Sequence, residues 1–361
     1  MGVAVQTPAA VRQPLREGFI VGPAYDGFFF ILAPLVAVLF SMVVAAGLLP
    51  SPVPGQVGVE ADKRFWAFVV FAVFTEGHLV LAFFRSHLNS RVFHQHPLRF
   101  TLVPLVVFAA GACSPQVLAT MVVVAVWWDV YHSGMQTFGF GRIYDARAGN
   151  DASTGRQLDL WLNLVIYAGP ILAGATLMAH VVHFDKLADV GVAAFGHVPV
   201  FVESKAGLLS RTVAAASLSF IAYYVYRNWE MHRQGYRVSP QKVALLVTTA
   251  LTSVYAWYFN SFGMGFVVAN LFHAVQYLGI IYWQERGNLA GRLHVDGSRF
   301  AATFVCLALA AVAVGFGFFA ASVDRSFDAP LWPWSLAVTV ALMHFWYDGF
   351  IWSVRKREVG S

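Results

Sequence analysis

The stretch Val117-Leu-Ala-Thr-Met-Val-Val-Val-Ala-Val-Trp-Trp-Asp129-Val-Tyr-His132-Ser-Gly134-Met-Gln136-Thr-Phe-Gly-Phe-Gly-Arg142 decides the fold class. Between Val117 and Arg142 the only formal charge is Asp129. A bilayer core about 30 Å thick needs roughly 20 apolar residues in helical form. This segment is long enough to cross it, and it carries three polar side chains on the way. Working outward, the same pattern recurs along the chain. Spans are expected at 27–49, 65–85, 99–113, 117–142, 158–181, 208–228, 242–259, 263–284, 300–322 and 332–354. The third is short and reads as a tilted span or a re-entrant segment.

Composition agrees with this reading. Of 361 residues, 58% are hydrophobic and 12% charged, and the mean hydropathy is +0.62. Soluble domains carry about 25% charged residues, so this chain has half the charge that a water-facing surface requires. The expected fold is an all-α, polytopic helical bundle of about ten transmembrane helices. Residues 1–23 form a polar N-terminal segment, 24–354 a single membrane domain, and 355–361 a basic tail. No signal-peptide pattern opens the chain. The two cysteines, Cys113 and Cys306, lie in separate apolar runs and make no metal-binding CxxC pair. No basic stripe interleaved with aromatics is present, which excludes nucleic acid as a partner.

Positive charge gives the orientation. With ten spans, the side holding the termini collects 18 of the 24 Lys and Arg residues, and the other side holds Lys63, Arg64, Lys186, Lys205, Arg211 and Arg325. Both termini are therefore expected in the cytoplasm, with a bacterial plasma membrane as the location. Gly141-Arg-Ile-Tyr144, Gly279-Ile-Ile-Tyr282 and Gly349-Phe-Ile-Trp352 echo one another at three inner span ends. They read as an aromatic belt with helix-packing glycines.

Ionisable groups inside spans carry the functional information. Each costs about 2.5–3.5 kcal/mol at a helix centre, so it faces a partner or a cavity. Glu76 and His78 lie in the second span, and Asp129, His132 and Gln136 in the fourth. Asn270, His273 and Gln276 lie in the eighth, and His344 and Asp348 in the tenth. All four are even-numbered spans and run in one direction. At 1.5 Å per residue, His132, His273 and His344 sit roughly 15 Å from the inner end, and His78 roughly 10 Å. Four histidines thus share one layer. Asp129 and His132 are three apart, Asn270 and His273 three apart, His132 and Gln136 four apart, and His344 and Asp348 four apart. Each pair occupies one helical face.

Carboxylate and histidine at such spacings on inward faces is how helical bundles hold iron. Neutral imidazole suits iron, zinc and copper. The expected ligands are His78, His132, His273, His344 and Asp348. Asp129 and Glu76 are the expected catalytic carboxylates, Glu76 as a proton acceptor. Gln136, Asn270 and Gln276 are expected to support the ligands from behind. The loop residues His87, His94 and His96 form a weaker cluster; their alternative is a polar interfacial loop.

His344-Phe-Trp-Tyr-Asp348 and Phe272-His273-Ala-Val-Gln276 resemble motifs of the bacterial Brp/Blh-type carotene-cleaving membrane oxygenases. The resemblance covers four short patches. It implies an all-helical membrane fold and one non-haem iron held by span histidines. Glu76-Gly-His78 departs from the Pro-His-Gly context of that family, and Gln276 stands nearest its missing second histidine.

These residues define the expected function: a membrane metalloenzyme, most simply a non-haem iron oxygenase or oxidase. Its substrate is a lipid, isoprenoid or carotenoid, and its electron donor is external, because the chain has no dinucleotide fingerprint. Zinc in the same layer would point to hydrolysis. No G-x-S-x-G elbow supports a serine hydrolase. The alternatives are a haem-binding electron-transfer protein and a proton-coupled transporter. The transporter reading lacks an inverted repeat.

Overall fold

The computed structural model describes residues 18–52 and 58–352. Among these residues the secondary structure is entirely helical. The tail 355–361 and most of the polar N-terminal segment lie outside the described residues.

Twelve helices matter for the site. They are α1 (Pro23–Ile31), α2 (Ala33–Ala45), α3 (Val59–Ser86), α4 (Pro97–Cys113), α5 (Pro115–Arg147), α6 (Arg156–Ala173) and α7 (Leu177–Asp189). The remainder are α8 (Val198–Arg233), α9 (Pro240–Phe259), α10 (Phe262–Arg292), α11 (Ala301–Ser322) and α12 (Leu331–Ile351). Sequence signals set several starts. Ser114 and Ser239 cap α5 and α9 by accepting the amides of Val117 and Lys242, each with proline in the first turn.

Six of these helices are long and apolar enough to cross a membrane, and eight if each bent pair counts as one span. The chain is a multi-pass membrane protein with six to eight candidate spans, fewer than the expected ten. Two expected spans fall outside for different reasons. Helix α4 has 17 residues, roughly 25 Å at 1.5 Å per residue, short of the core thickness. Helix α12 is long enough at 21 residues, but its tryptophans, His344 and Asp348 dilute its hydropathy.

The expected single span 158–181 is broken. Helices α6 and α7 meet at 99°. Gly174 sits at the corner with its Cα against the backbone of Tyr258 and the Pro170 carbonyl, where a side chain has no room. Thr176 donates from its hydroxyl to the Trp257 carbonyl at 3.0 Å, so the corner is pinned to the end of α9. The first span is bent too, by 56° between α1 and α2.

Three wide-turn stretches were not legible as such. Gly27–Ile31 in α1, Val70–Glu76 in α3 and Val254–Phe259 in α9 are π-helical. Such turns recur at functional sites, and the second ends two residues before His78. Directly after it, Gly77 packs on the Ala313 carbonyl, and Gly317 of α11 on the Ala72 carbonyl. Backbones touch there, which is the small-residue contact that membrane helices use to associate.

Neighbouring ends of α5, α6 and α9 are tied by a buried charge cluster. Asp145 and Asp159 each place Oδ2 between two cations. Arg142 Nη1 donates to both at 2.6 Å, and Lys242 Nζ donates at 2.8 and 2.7 Å. Each Oδ1 accepts a phenol: Tyr236 at 2.6 Å on Asp145 and Tyr224 at 2.8 Å on Asp159. Two positive and two negative charges cancel, and every lone pair that matters is used, which is the condition for burying ions. Asp26 closes the same end. It accepts the amides of Ile20, Val21 and Gly22 and the hydroxyl of Tyr144.

Candidate metal centre

The four layer histidines come from α3, α5, α10 and α12, and all four are buried. Their rings form one compact group. Ring centroids are 5.0 Å apart for His78–His273, His78–His344 and His132–His273, and 4.8 Å for His132–His344.

Backbone carbonyls orient two of the rings. His78 Nδ1 lies 2.5 Å from the Phe74 carbonyl, and His344 Nδ1 lies 3.1 Å from that of Leu79. A carbonyl only accepts, so each Nδ1 carries the proton and each Nε2 presents a lone pair. Such outer hydrogen bonds are what fix the tautomer of ligating histidines. His78 Nε2 and both ring nitrogens of His273 have no hydrogen-bond partner. Buried polar atoms left unpaired cost about 1–3 kcal/mol each, so three in one cluster call for a ligand.

The nitrogen positions suit a cation. His132 Nε2 and His344 Nε2 are 3.1 Å apart. Two imidazoles bound to one ion at about 2.0–2.1 Å, with an octahedral or tetrahedral angle between them, stand about 2.8–3.4 Å apart. Two overlapping ligand groups exist, His78–His273–His344 and His132–His344–Asp348, each with its ligand atoms within 4.8 Å of one another. His344 belongs to both.

Asp348 is aimed by two partners that its spacing alone did not single out. Tyr277 donates to Oδ1 at 3.0 Å and the Trp352 indole at 2.9 Å. Oδ2 is left facing the imidazoles, 3.7 Å from His132 Nε2 and 3.8 Å from His344 Nε2. Those distances exceed a hydrogen bond but suit groups flanking a common ion. The signal for Tyr277 was present in the sequence: it follows His273 by four, on the same helical face. Replacing Tyr277 by phenylalanine frees one side of Oδ1. Metal affinity is expected to fall about 10–100-fold, the usual effect of losing an outer partner, measured by competition with a chelator of known affinity.

The other expected site residues are placed as follows. Gln136 Nε2 donates to the His273 carbonyl and to Gln276 Oε1, both at 3.1 Å, and Gln276 Nε2 donates to the Phe30 carbonyl at 2.8 Å. These two glutamines link α5, α10 and α1 behind the cluster. Asn270 bonds its own helix at the Phe266 carbonyl. Glu76 turns to Arg325, 2.5 Å away, so its carboxylate is held in an ion pair beside the α11–α12 connection. Among the described residues Asp129 forms no hydrogen bond or ion pair. In the loop, His87 uses both ring nitrogens, on the Ser86 hydroxyl at 2.7 Å and the Phe100 carbonyl at 2.9 Å. Burial also holds its pKa below the usual imidazole value. That is a packing histidine with no lone pair to spare.

A cavity of about 360 Å³ reaches the cluster from between α5, α10 and α12. His132, Asp348 and Tyr277 line one end, and Arg142 and Arg156 the other. His78, His273 and His344 lie behind that wall. One face of the centre is thus open to an occupant of the cavity, which is what separates reactive metal sites from closed structural ones.

No protein-family model matches this chain, and neither a curated protein nor a solved structure does.

Proposed function

We propose that this protein is a membrane-embedded metalloenzyme that holds non-haem iron, as one or two ions, and oxidises a lipophilic substrate. The observation that carries this reading is the compact four-imidazole group, with unpartnered ring nitrogens on His78 and His273 and an open side on a cavity. His78, His132, His273 and His344 are the ligands, and Asp348 completes or orients them. Bound iron would supply dioxygen activation, with electrons from an external donor. The protein does the rest. Phe74 and Leu79 carbonyls hold two imidazoles in the ligating tautomer. Asp348 Oδ2, free of hydrogen-bond donors, is the atom placed to hold a proton beside the cavity. Glu76, neutralised by Arg325, is assigned to helix anchoring.

The resemblance to Brp/Blh-type oxygenases supports an oxygen-using iron site, since the His344 and Asp348 patch falls within the cluster. Haem fits poorly. Rings whose centroids stand about 5 Å apart in four directions leave no plane for a macrocycle. We further propose that α4 and α12 complete ten membrane crossings, with both termini on the Arg-rich cytoplasmic face of a bacterial plasma membrane. The charge bias across the loops supports this.

Elemental analysis of purified protein with its visible spectrum tests the reading. One or two irons per chain without a Soret band are expected. Zinc in their place would replace oxidation by hydrolysis. A Soret band, or no metal after reconstitution, would overturn the proposal.

A further inference from the structure

Gly139 and Gly349 line the cavity from facing helices, α5 and α12. A Cβ built on either meets nothing within 4 Å. These glycines do not bring helices together, as Gly265 does, where an added Cβ would stand 2.6 Å from the Ala256 carbonyl. They leave space open.

The shape of that space narrows what fits it. Lining residues on α5 run from Trp128 to Ile143, so the slot is roughly 22 Å long. A volume of about 360 Å³ spread over that length makes it a narrow channel and not a rounded chamber. The walls beside the cluster are aromatic, with Trp128 and Phe345 on either side. The far end is polar: Arg142 sits in the charge cluster, and the Arg156 guanidinium lies 5.1 Å over the Phe138 ring. A polar head buried among the aromatic walls would lose its hydrogen bonds to water without replacement, so the head belongs at the arginine end.

We infer that the cavity is a single-file slot for one unbranched alkyl chain, with its head at Arg142 and Arg156 and its far carbons against His132 and Asp348. Gly139 and Gly349 are the residues that set its width. This inference rests on the proposed function for the meaning of the cluster, but not for the fit of the chain. It admits a segment of an acyl or polyene chain and rejects a fused-ring sterol.

Photolabelling in nanodiscs tests it. The probes are dodecanol with a terminal diazirine, a phosphatidylcholine with that group on an acyl chain, and a diazirine sterol. Labelled residues are mapped by mass spectrometry, with and without chelator. Label on peptides containing Trp128, Met135 or Phe345 is expected from a straight-chain probe, whether or not metal is bound. Labelling by the alkanol alone marks a free amphiphile as the source. Labelling by the phospholipid marks a membrane acyl chain. Gly139→Leu and, separately, Gly349→Leu are expected to cut labelling about tenfold or more while metal content is unchanged. Equal labelling of these peptides by the sterol, no straight-chain label there, or undiminished labelling in both leucine variants would overturn the inference. A metal-free protein that still takes the chain label would refute the iron reading alone.

Discussion

The triple variant His132→Ala, His273→Ala, His344→Ala is expected to lose bound metal and activity while its helices persist. Each histidine comes from a different helix, so no single helix can rebuild the ligand set. Losing an outer partner already costs about 10–100-fold in metal affinity, so losing three ligands should exceed about 100-fold. The fold should tolerate the change. His273 makes no side-chain hydrogen bond, so its removal deletes a buried unpaired group. The Gln136–Gln276 link uses the backbone carbonyl of His273, which alanine keeps. Metal per chain by elemental analysis and helix content by circular dichroism are the two readouts. Full occupancy in the triple variant would end the metal reading. Loss of a Soret band with only two of the four histidines would point to haem.

The second large effect lies away from the cluster. Lys242→Met is expected to destabilise the protein by about 3–5 kcal/mol, the cost of stranding a buried charge. Asp145 and Asp159 would keep Arg142 as their only cation, since Lys242 Nζ now bridges them at 2.8 and 2.7 Å. Adding Asp159→Asn to Lys242→Met restores neutrality and should recover part of the loss. Equilibrium unfolding in mixed micelles measures both. A Lys242→Met protein within about 1 kcal/mol of the original would mean that water reaches the cluster. The same lock holds Arg142 at the mouth of the cavity, so both variants should also loosen the polar end of the slot.

Much of the centre was readable along the chain because an α-helix converts spacing into geometry. His344 and Asp348, four apart, do share a face, and the depth count put four histidines at one level. Residues tied by hydrogen bonds across helices were not readable. Glu76, two residues from His78, reads in the sequence as a proton acceptor beside the layer. Its ion-pair partner, Arg325, follows α11 by three residues and approaches from the connection to α12. Asp129 has helical spacing to His132 but, among the described residues, forms no hydrogen bond or ion pair. Gly349 reads in the sequence as a helix-packing glycine, yet it borders a cavity.

Chain composition and periodicity determined the membrane setting and the helical class, and they predict that four histidines share one layer. These follow from hydropathy and from the rise per residue, which are local properties. The tertiary structure decided which of the layer's polar groups meet, which stay unpaired, and where space remains. It also decided that α6 and α7 meet at a corner and that π-turns precede the site. Those outcomes depend on how the helices rotate and cross, and side chains from the other helices set that rotation.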